Sequence, residues 1–227
     1  MVKDIFLSDL VDQMPLIIDG LLQTILLTVT ISLTGFVAGI GVFYLSQHRN
    51  RVIRHLAAGY TSFFLGVPLI VLLFLMYYGL PHWGVRLSPF IVAVIGFTFN
   101  VAAYNVSYMM TAYYGMDPNE IDAAYAQGFT DLQVFRYVIL PQVLRLSVPA
   151  LTNQIIRNLK DTSIAFLIQF TEFFARVQEL ASGNFQFFKA YALAAIVYLA
   201  LVSIVVIAAR VLEARLNLGG VKEIAAR

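Results

Sequence analysis

Residues 117–141 read DPNEIDAAYAQGFTDLQVFRYVILP, and this stretch decides how the rest of the chain divides. After the amino-terminal segment it is the longest reach without a membrane-grade apolar run, yet it carries its own helix punctuation. Asp117 is placed to cap a helix opening at Pro118, and Glu120 completes the Asp-x-x-Glu form of a capping box. Gly128 should end that helix, because glycine takes the left-handed conformation that helix ends often need. Thr130 and Gln133 form a second box, Thr-x-x-Gln. The helix it opens is expected to run to about Leu140, where Pro141 has no amide proton to continue it. The pattern predicts two short helices joined at a glycine. Ile121, Ala124 and Tyr125 share a face of the first; Leu132, Phe135 and Ile139 share a face of the second.

Working outward, the chain has 227 residues, of which 60% are hydrophobic and 12% charged, with a mean hydropathy of +0.80. That is too apolar for a soluble domain of this size and reads as an all-α, polytopic membrane protein. A net charge of +2 gives no ground for a nucleic-acid partner. With no cysteine, disulfides, thiolate metal sites and cysteine nucleophiles are excluded. The first twenty residues lack the basic region, short apolar core and cleavage site of a signal peptide. They mix Ile5, Phe6, Leu10 and Val11 with Asp4, Asp9 and Asp12, which suits either a helix lying at the membrane surface or a frayed terminus.

A spanning helix needs about 20 apolar residues. Five segments qualify within one transmembrane domain covering residues 1–227: 21–45, 56–80, 87–116, 146–170 and 190–209. The first contains Gly35, Gly39 and Gly41, which either permit close helix packing or reflect the abundance of glycine in membrane helices. The second is interrupted by Gly66-Val67-Pro68, where proline should kink the helix and free a carbonyl. The third carries Asn100, Asn105 and Ser107. The fourth holds Pro149, Asn153, Gln154, Arg157 and then Lys160-Asp161-Thr162-Ser163, and is read as a bent or broken span. Ionisable groups at such depth are costly and usually face protein or an aqueous path. Lys160 and Asp161 would project about 100° apart on a helix, which argues against pairing only with each other. Residues 171–189 read as a loop, and the last fourteen as a polar tail.

Lys and Arg in the connections set the orientation. With the amino terminus outside, the inner face holds Arg49, Arg51, Arg54, Arg136, Arg145, Arg210, Arg215, Lys222 and Arg227. The outer face holds Lys3, Arg86, Arg176 and Lys189. Nine against four places residues 117–141 in the cytoplasm, with the carboxyl terminus inside.

Asp122-Ala123-Ala124, three residues, Gly128, nine residues, then Val138-Ile139-Leu140-Pro141 resembles the EAA loop of the ABC importer permeases. Asp122 stands where the family has Glu, and Val138 where it has Ile. Gly66-Val67-Pro68-Leu69, Tyr77-Tyr78-Gly79-Leu80-Pro81, Asn100 with Ala102-Ala103-Tyr104, and Lys160-Asp161-Thr162-Ser163 extend the resemblance to the polar amino acid permeases, over residues 16–216. The chain departs from that pattern at Val106, Ser107, Met110 and Thr111, where the family shows Ala-Glu and Arg-Gly. It departs again at Pro118-Asn119-Glu120, in place of Lys-Gly-Gln.

The resemblance implies a type I importer transmembrane domain in the bacterial inner membrane. Asp122, Ala123, Ala124, Gly128, Val138, Leu140 and Pro141 would belong to a coupling loop docked on one of two cytoplasmic ATPase subunits, where ATP and Mg bind. It further implies a second permease subunit, identical or homologous, and a solute-binding protein outside. The chain would then carry an amino acid or similar solute by alternating access.

No G-x-x-x-x-G-K-[ST] phosphate loop is present, so the chain is not expected to be an ATPase or to hold a cofactor of its own. His48, His55 and His82 lack ligand spacing, and no serine sits in a G-x-S-x-G context. Candidate path residues are Asn100, Asn105, Ser107, Asn153, Arg157, Lys160, Asp161, Thr162 and Ser163. A cation among them could meet a carboxylate and Asp161 an ammonium; equally, these groups could join two subunits or satisfy a broken helix. Arg145 reads as a snorkelling interfacial residue. A self-sufficient secondary transporter or channel is the alternative, against which stand the absence of an internal repeat and the small number of spans.

Overall fold

The computed structural model describes residues 5–215, and among these all regular structure is helical. Lys3, Lys222, Arg227 and the tail beyond Arg215 lie outside the described residues. α1 (Ile5–Asp12) leads into α2 (Met14–Ser46), then α3 (Arg51–Gly66) and α4 (Leu69–Phe74). A π-helical turn (Leu75–Gly79) and a 3-10 turn (Leu80–Trp83) extend α4. α5 (Pro89–Tyr114) precedes the short α6 (Pro118–Ala126) and α7 (Asp131–Val134). A π turn (Phe135–Ile139) joins α7 to α8 (Leu140–Asp161), which tightens into a 3-10 segment (Thr162–Ile168) before α9 (Phe173–Asn184) and α10 (Phe187–Arg215).

Met14–Ser46, Pro89–Tyr114, Asp131–Ile168 and Phe187–Val211 are each long and apolar enough to cross a bilayer. The second expected span, placed at 56–80, is a pair of helices, Arg51–Gly66 and Leu69–Trp83, bent by 98°. The proline therefore breaks the span where only a kink was expected. Val67 is extended, at φ −89° and ψ 127°, as the ring of a following proline demands. Pro68 has no N–H for the Phe64 carbonyl, and the Asn100 amide of α5 donates to that oxygen at 3.0 Å. Tyr60 donates to the Phe99 carbonyl at 2.7 Å, a second strap between α3 and α5.

The helix opened at Thr130 does not stop at Leu140. An α-helical Pro141 would press its ring on the Tyr137 carbonyl and leave that oxygen without a donor. The five preceding residues are wound as a π turn instead, with the Leu140 N–H reaching back to the Phe135 carbonyl. The wider turn takes up the proline and the column runs on. Pro149 leaves it unbroken too, so the fourth segment is a continuous helix from Asp131, not a bent span beginning at 146. Residues 171–189, read as a loop, contain α9: Phe173, Val177, Leu180 and Ala181 bury one face. Glu172 caps it by accepting the Phe174 and Ala175 N–H groups at 2.8 Å each.

The axis of the bundle is the contact between α2 and α5. A Cβ on Gly35 would lie 2.5 Å from Val101 Cγ1, and one on Gly39 2.9 Å from Asn105 Cβ, whereas one on Gly41 would meet nothing within 4 Å. Two of the three glycines thus serve packing. In lipid, where burial from water drives nothing, such backbone approach is a main source of attraction. Leu27 and Ile31 of α2 pack with Leu73, Phe97 and Ile168 toward one end; Phe43 packs with Met109, Val134, Phe135 and Ile139 toward the other. Gly35→Ala should force α2 and α5 apart and destabilise the protein by about 1–3 kcal/mol. Gly41→Ala should be neutral. Thermal midpoints of the two detergent-solubilised variants test this; equal midpoints would show that the glycines do not set the packing.

Candidate functional site

The first candidate site is the knob between α5 and α8. The Asp117 carboxylate accepts the Asn119 N–H at 2.9 Å, so it is a simple cap and not half of a reciprocal box. Glu120 instead accepts from the Gln142 amide, tying α6 to the root of α8. The second box forms as expected: Thr130 N–H donates to Gln133 Oε1 at 2.8 Å, and Gln133 N–H donates to Thr130 Oγ1 at 3.4 Å. Gly128 stands between them at φ +84°, with nothing within 4 Å of where a Cβ would be; its need is conformational, not spatial. Ala124, Val134, Phe135 and Ile139 turn inward against Phe43 and Met109.

Leu132 does not share that face. It is exposed, with Tyr125, Phe129 and Tyr137. Asp122, Ala123 and Pro141 are exposed as well, and Val138 and Leu140 half-buried. The knob therefore buries one side in the bundle and offers an aromatic, apolar surface on the other.

The second candidate site is the polar face of α8. Asn153, Arg157 and Lys160 follow at spacings of four and three residues, form one stripe, and are all exposed. The Arg157 guanidinium lies over the Tyr104 ring of α5, 4.7 Å from its centroid. Asp161 is half-buried and forms no ion pair, Arg176–Glu179 being the pair found among the described residues. Thr162 and Ser163 turn their hydroxyls back on the Leu159 and Lys160 carbonyls, both at 2.8 Å. Ser107 is half-buried and lines a cavity of about 430 Å3 with Ser62, Thr111 and Arg54.

Two of the amides that the sequence groups with these residues belong elsewhere. Asn100 serves the Phe64 carbonyl, and the buried Asn105 donates to the Gly35 carbonyl at 3.2 Å, inside the α2–α5 contact. Sequence reasoning also passed over a buried relay. Tyr108 donates to Gln154 (3.2 Å), Gln154 to Asn158 (2.8 Å) and Asn158 to Ser32 (3.0 Å). The spacing of Gln154 and Asn158, one helical turn apart on the buried face beside the Arg157 stripe, is the signal that could have found it.

Comparison with known proteins agrees with this geometry. Residues 31–218 match the family described as binding-protein-dependent transport system inner membrane component. The chain is 40% identical to the probable amino-acid ABC transporter permease protein PatM of Vibrio harveyi, over 84% of this chain and 85% of the relative. It is 33% identical to the L-cystine transport system permease protein TcyB of Bacillus subtilis (strain 168), over 92% and 91%. A crystal structure of an amino acid ABC transporter with histidines superposes with a TM-score of 0.84 at 29% identity, covering 95% of this chain and 100% of that one. An inward-facing MetNI methionine ABC transporter shares the fold, with a TM-score of 0.73 at 21% identity, over 89% of this chain and 97% of that one.

Assigning Asn100 to the broken helix has a measurable consequence. Asn100→Leu removes the donor to the half-buried Phe64 carbonyl and should cost about 1 kcal/mol or more, the penalty for a carbonyl left unpaired. Asn153→Leu, at an exposed position, should leave the thermal midpoint of the solubilised protein unchanged. An unshifted midpoint for Asn100→Leu would return that residue to the list of path candidates.

Proposed function

We infer the function from one premise: the chain belongs to the family of binding-protein-dependent transport system inner membrane components. It is a membrane-spanning permease subunit of an ATP-binding-cassette importer for an amino acid or amino-acid-like solute. Neither family nor relatives support a self-sufficient secondary transporter or channel.

We propose that residues 117–141 are the surface on which a cytoplasmic ATPase acts. The observation carrying this is the exposed row Tyr125, Phe129, Leu132 and Tyr137 on a knob whose other side is built into α5 and α8. Because α7, the π turn and α8 form one column, a push on the knob is delivered along the axis of a span. Two ATPase subunits would bind ATP and Mg, and this chain would contribute no catalytic group. A solute-binding protein would deliver cargo at the outer face. Basic residues in the connections favour the amino terminus outside and the carboxyl terminus in the cytoplasm.

The stripe of Asn153, Arg157 and Lys160 supports a second reading within the same function. Two exposed cations on a spanning helix are poorly tolerated against lipid, so this face should meet water or protein. A second permease subunit covering it would enclose a path, in which a cation receives the carboxylate of an amino acid and Asp161 its ammonium.

Gly128→Val tests the coupling assignment. A branched residue at φ +84° is strained, while insertion of the spans is untouched. The variant should reach the membrane at normal levels yet lose most uptake, with weak ATPase co-purification or uncoupled hydrolysis. Asp131→Asn, which keeps an acceptor for the neighbouring Tyr125 hydroxyl, should be mild. Wild-type uptake by Gly128→Val would reduce the knob to a connector. Reporter fusions after Arg54 and Arg136 should report cytoplasm and one near Arg86 the outside; an external signal after Arg136 would overturn the orientation.

A further inference from the structure

The first turn of α9 holds a carboxylate that no function assigned above uses. Glu172 has no solvent-exposed surface and, among the described residues, no cation partner; Arg176, one turn on, is paired with Glu179 at 2.8 Å. Burial pushes the Glu172 pKa above the usual carboxylate range, and hydrogen bonds from three elements oppose that shift. Phe174 and Ala175 donate their N–H groups from α9, Thr24 its hydroxyl from α2 at 3.2 Å, and Tyr198 its hydroxyl from α10 at 3.3 Å. The Thr24 oxygen in turn accepts the Phe173 N–H at 3.0 Å, so α2 and α9 are cross-bonded twice at one point. The chain is close-fitted there: a Cβ on Gly20 would come within 3.0 Å of the Glu172 carbonyl oxygen and 2.8 Å of Arg176 Cγ. A fully buried carboxylate is expensive, and four donors on one carboxylate are what make it tolerable.

Two of those donors do more than stabilise. Phe174 and Tyr198, with Tyr191 and Ala195, wall a cavity of about 420 Å3 that opens onto Lys160 of α8 and Ser163 of the 3-10 segment that follows it. The Tyr198 hydroxyl also meets Thr162 of the same Lys-Asp-Thr-Ser run. Phe174 stacks on Tyr191, centroids 6.0 Å apart and planes 14° from parallel. The carboxylate thus holds one wall residue by its backbone and another by its side chain.

We propose that Glu172 is a positioning residue of the transport path, fixing the walls of the cavity beside Lys160. The solute meets Lys160 and Ser163 in a space whose shape Glu172 sets from behind, through Phe174 and Tyr198. This rests on the reading that the Lys160 face is the path.

The absence of native cysteine makes the test direct. Ala195→Cys places a thiol in the cavity, and Ser182→Cys places one on the exposed side of α9 as a control. Both are labelled with the anionic reagent methanethiosulfonate ethylsulfonate in the transporter assembled with its ATPase. The cavity thiol should react, and Lys160→Met should slow it roughly threefold or more, since the nearby cation attracts the anion. Thr24→Val, isosteric but without the hydroxyl, should change the cavity rate by a similar factor while leaving the Ser182→Cys rate and membrane abundance unchanged. Thr24→Ser should restore it. Glu172→Gln should act in the same direction as Thr24→Val. A cavity thiol indifferent to Thr24→Val, or changed only in step with the control site, would overturn the positioning role alone. A cavity thiol that never reacts would overturn the path reading with it.

Discussion

A backbone oxygen without a donor is the constraint on which this bundle depends. Inside a bilayer no water repairs such a defect, so the protein itself must provide for the carbonyl a spanning proline frees. Pro68 is answered from a neighbouring helix: Asn100 fills the carbonyl of Phe64, and because it does, the chain can turn through 98° there. Pro141 is answered from within its own helix, by a π turn that lets the column pass from knob to span without a break. One solution makes a corner and the other a rigid rod.

That rod joins the knob to the bundle without a hinge. Had the helix ended at Leu140, the knob would hang from the bundle by a flexible joint. As it stands, Val134, Phe135 and Ile139 are locked beneath Phe43 and Met109, and the same helix carries Arg157 and Lys160 further along. Part of the aromatic surface of the knob and the charged stripe of α8 lie on one continuous helical column. Gly35 and Gly39 hold α2 against α5, the helix whose Tyr104 ring lies beneath Arg157.

At the opposite end from the knob, Glu172 does for side chains what Asn100 does for the backbone. It collects donors from α2, α9 and α10 at a point where three helices meet. In each place a polar group that is costly alone becomes a fixed joint when fully bonded.

Residues 117–141 announced their caps, their glycine and their place between spans, and the apolar runs announced the spans. These depend on local matters: whether a residue has an amide proton, whether it tolerates positive φ, how much apolar surface twenty neighbours carry. The sequence by itself therefore determined an all-helical membrane domain and the knob between two of its spans. It could not assign Asn100, because the carbonyl that needs it is 36 residues away, nor reveal Glu172, which lay in a segment that read as loop and whose partner Thr24 is 148 residues away. Nor could it choose between Gly39 and Gly41, which differ only in which way they face. Only the tertiary structure decided these. Pairing of buried polar groups is a property of positions brought together by packing, and local pattern holds no record of them.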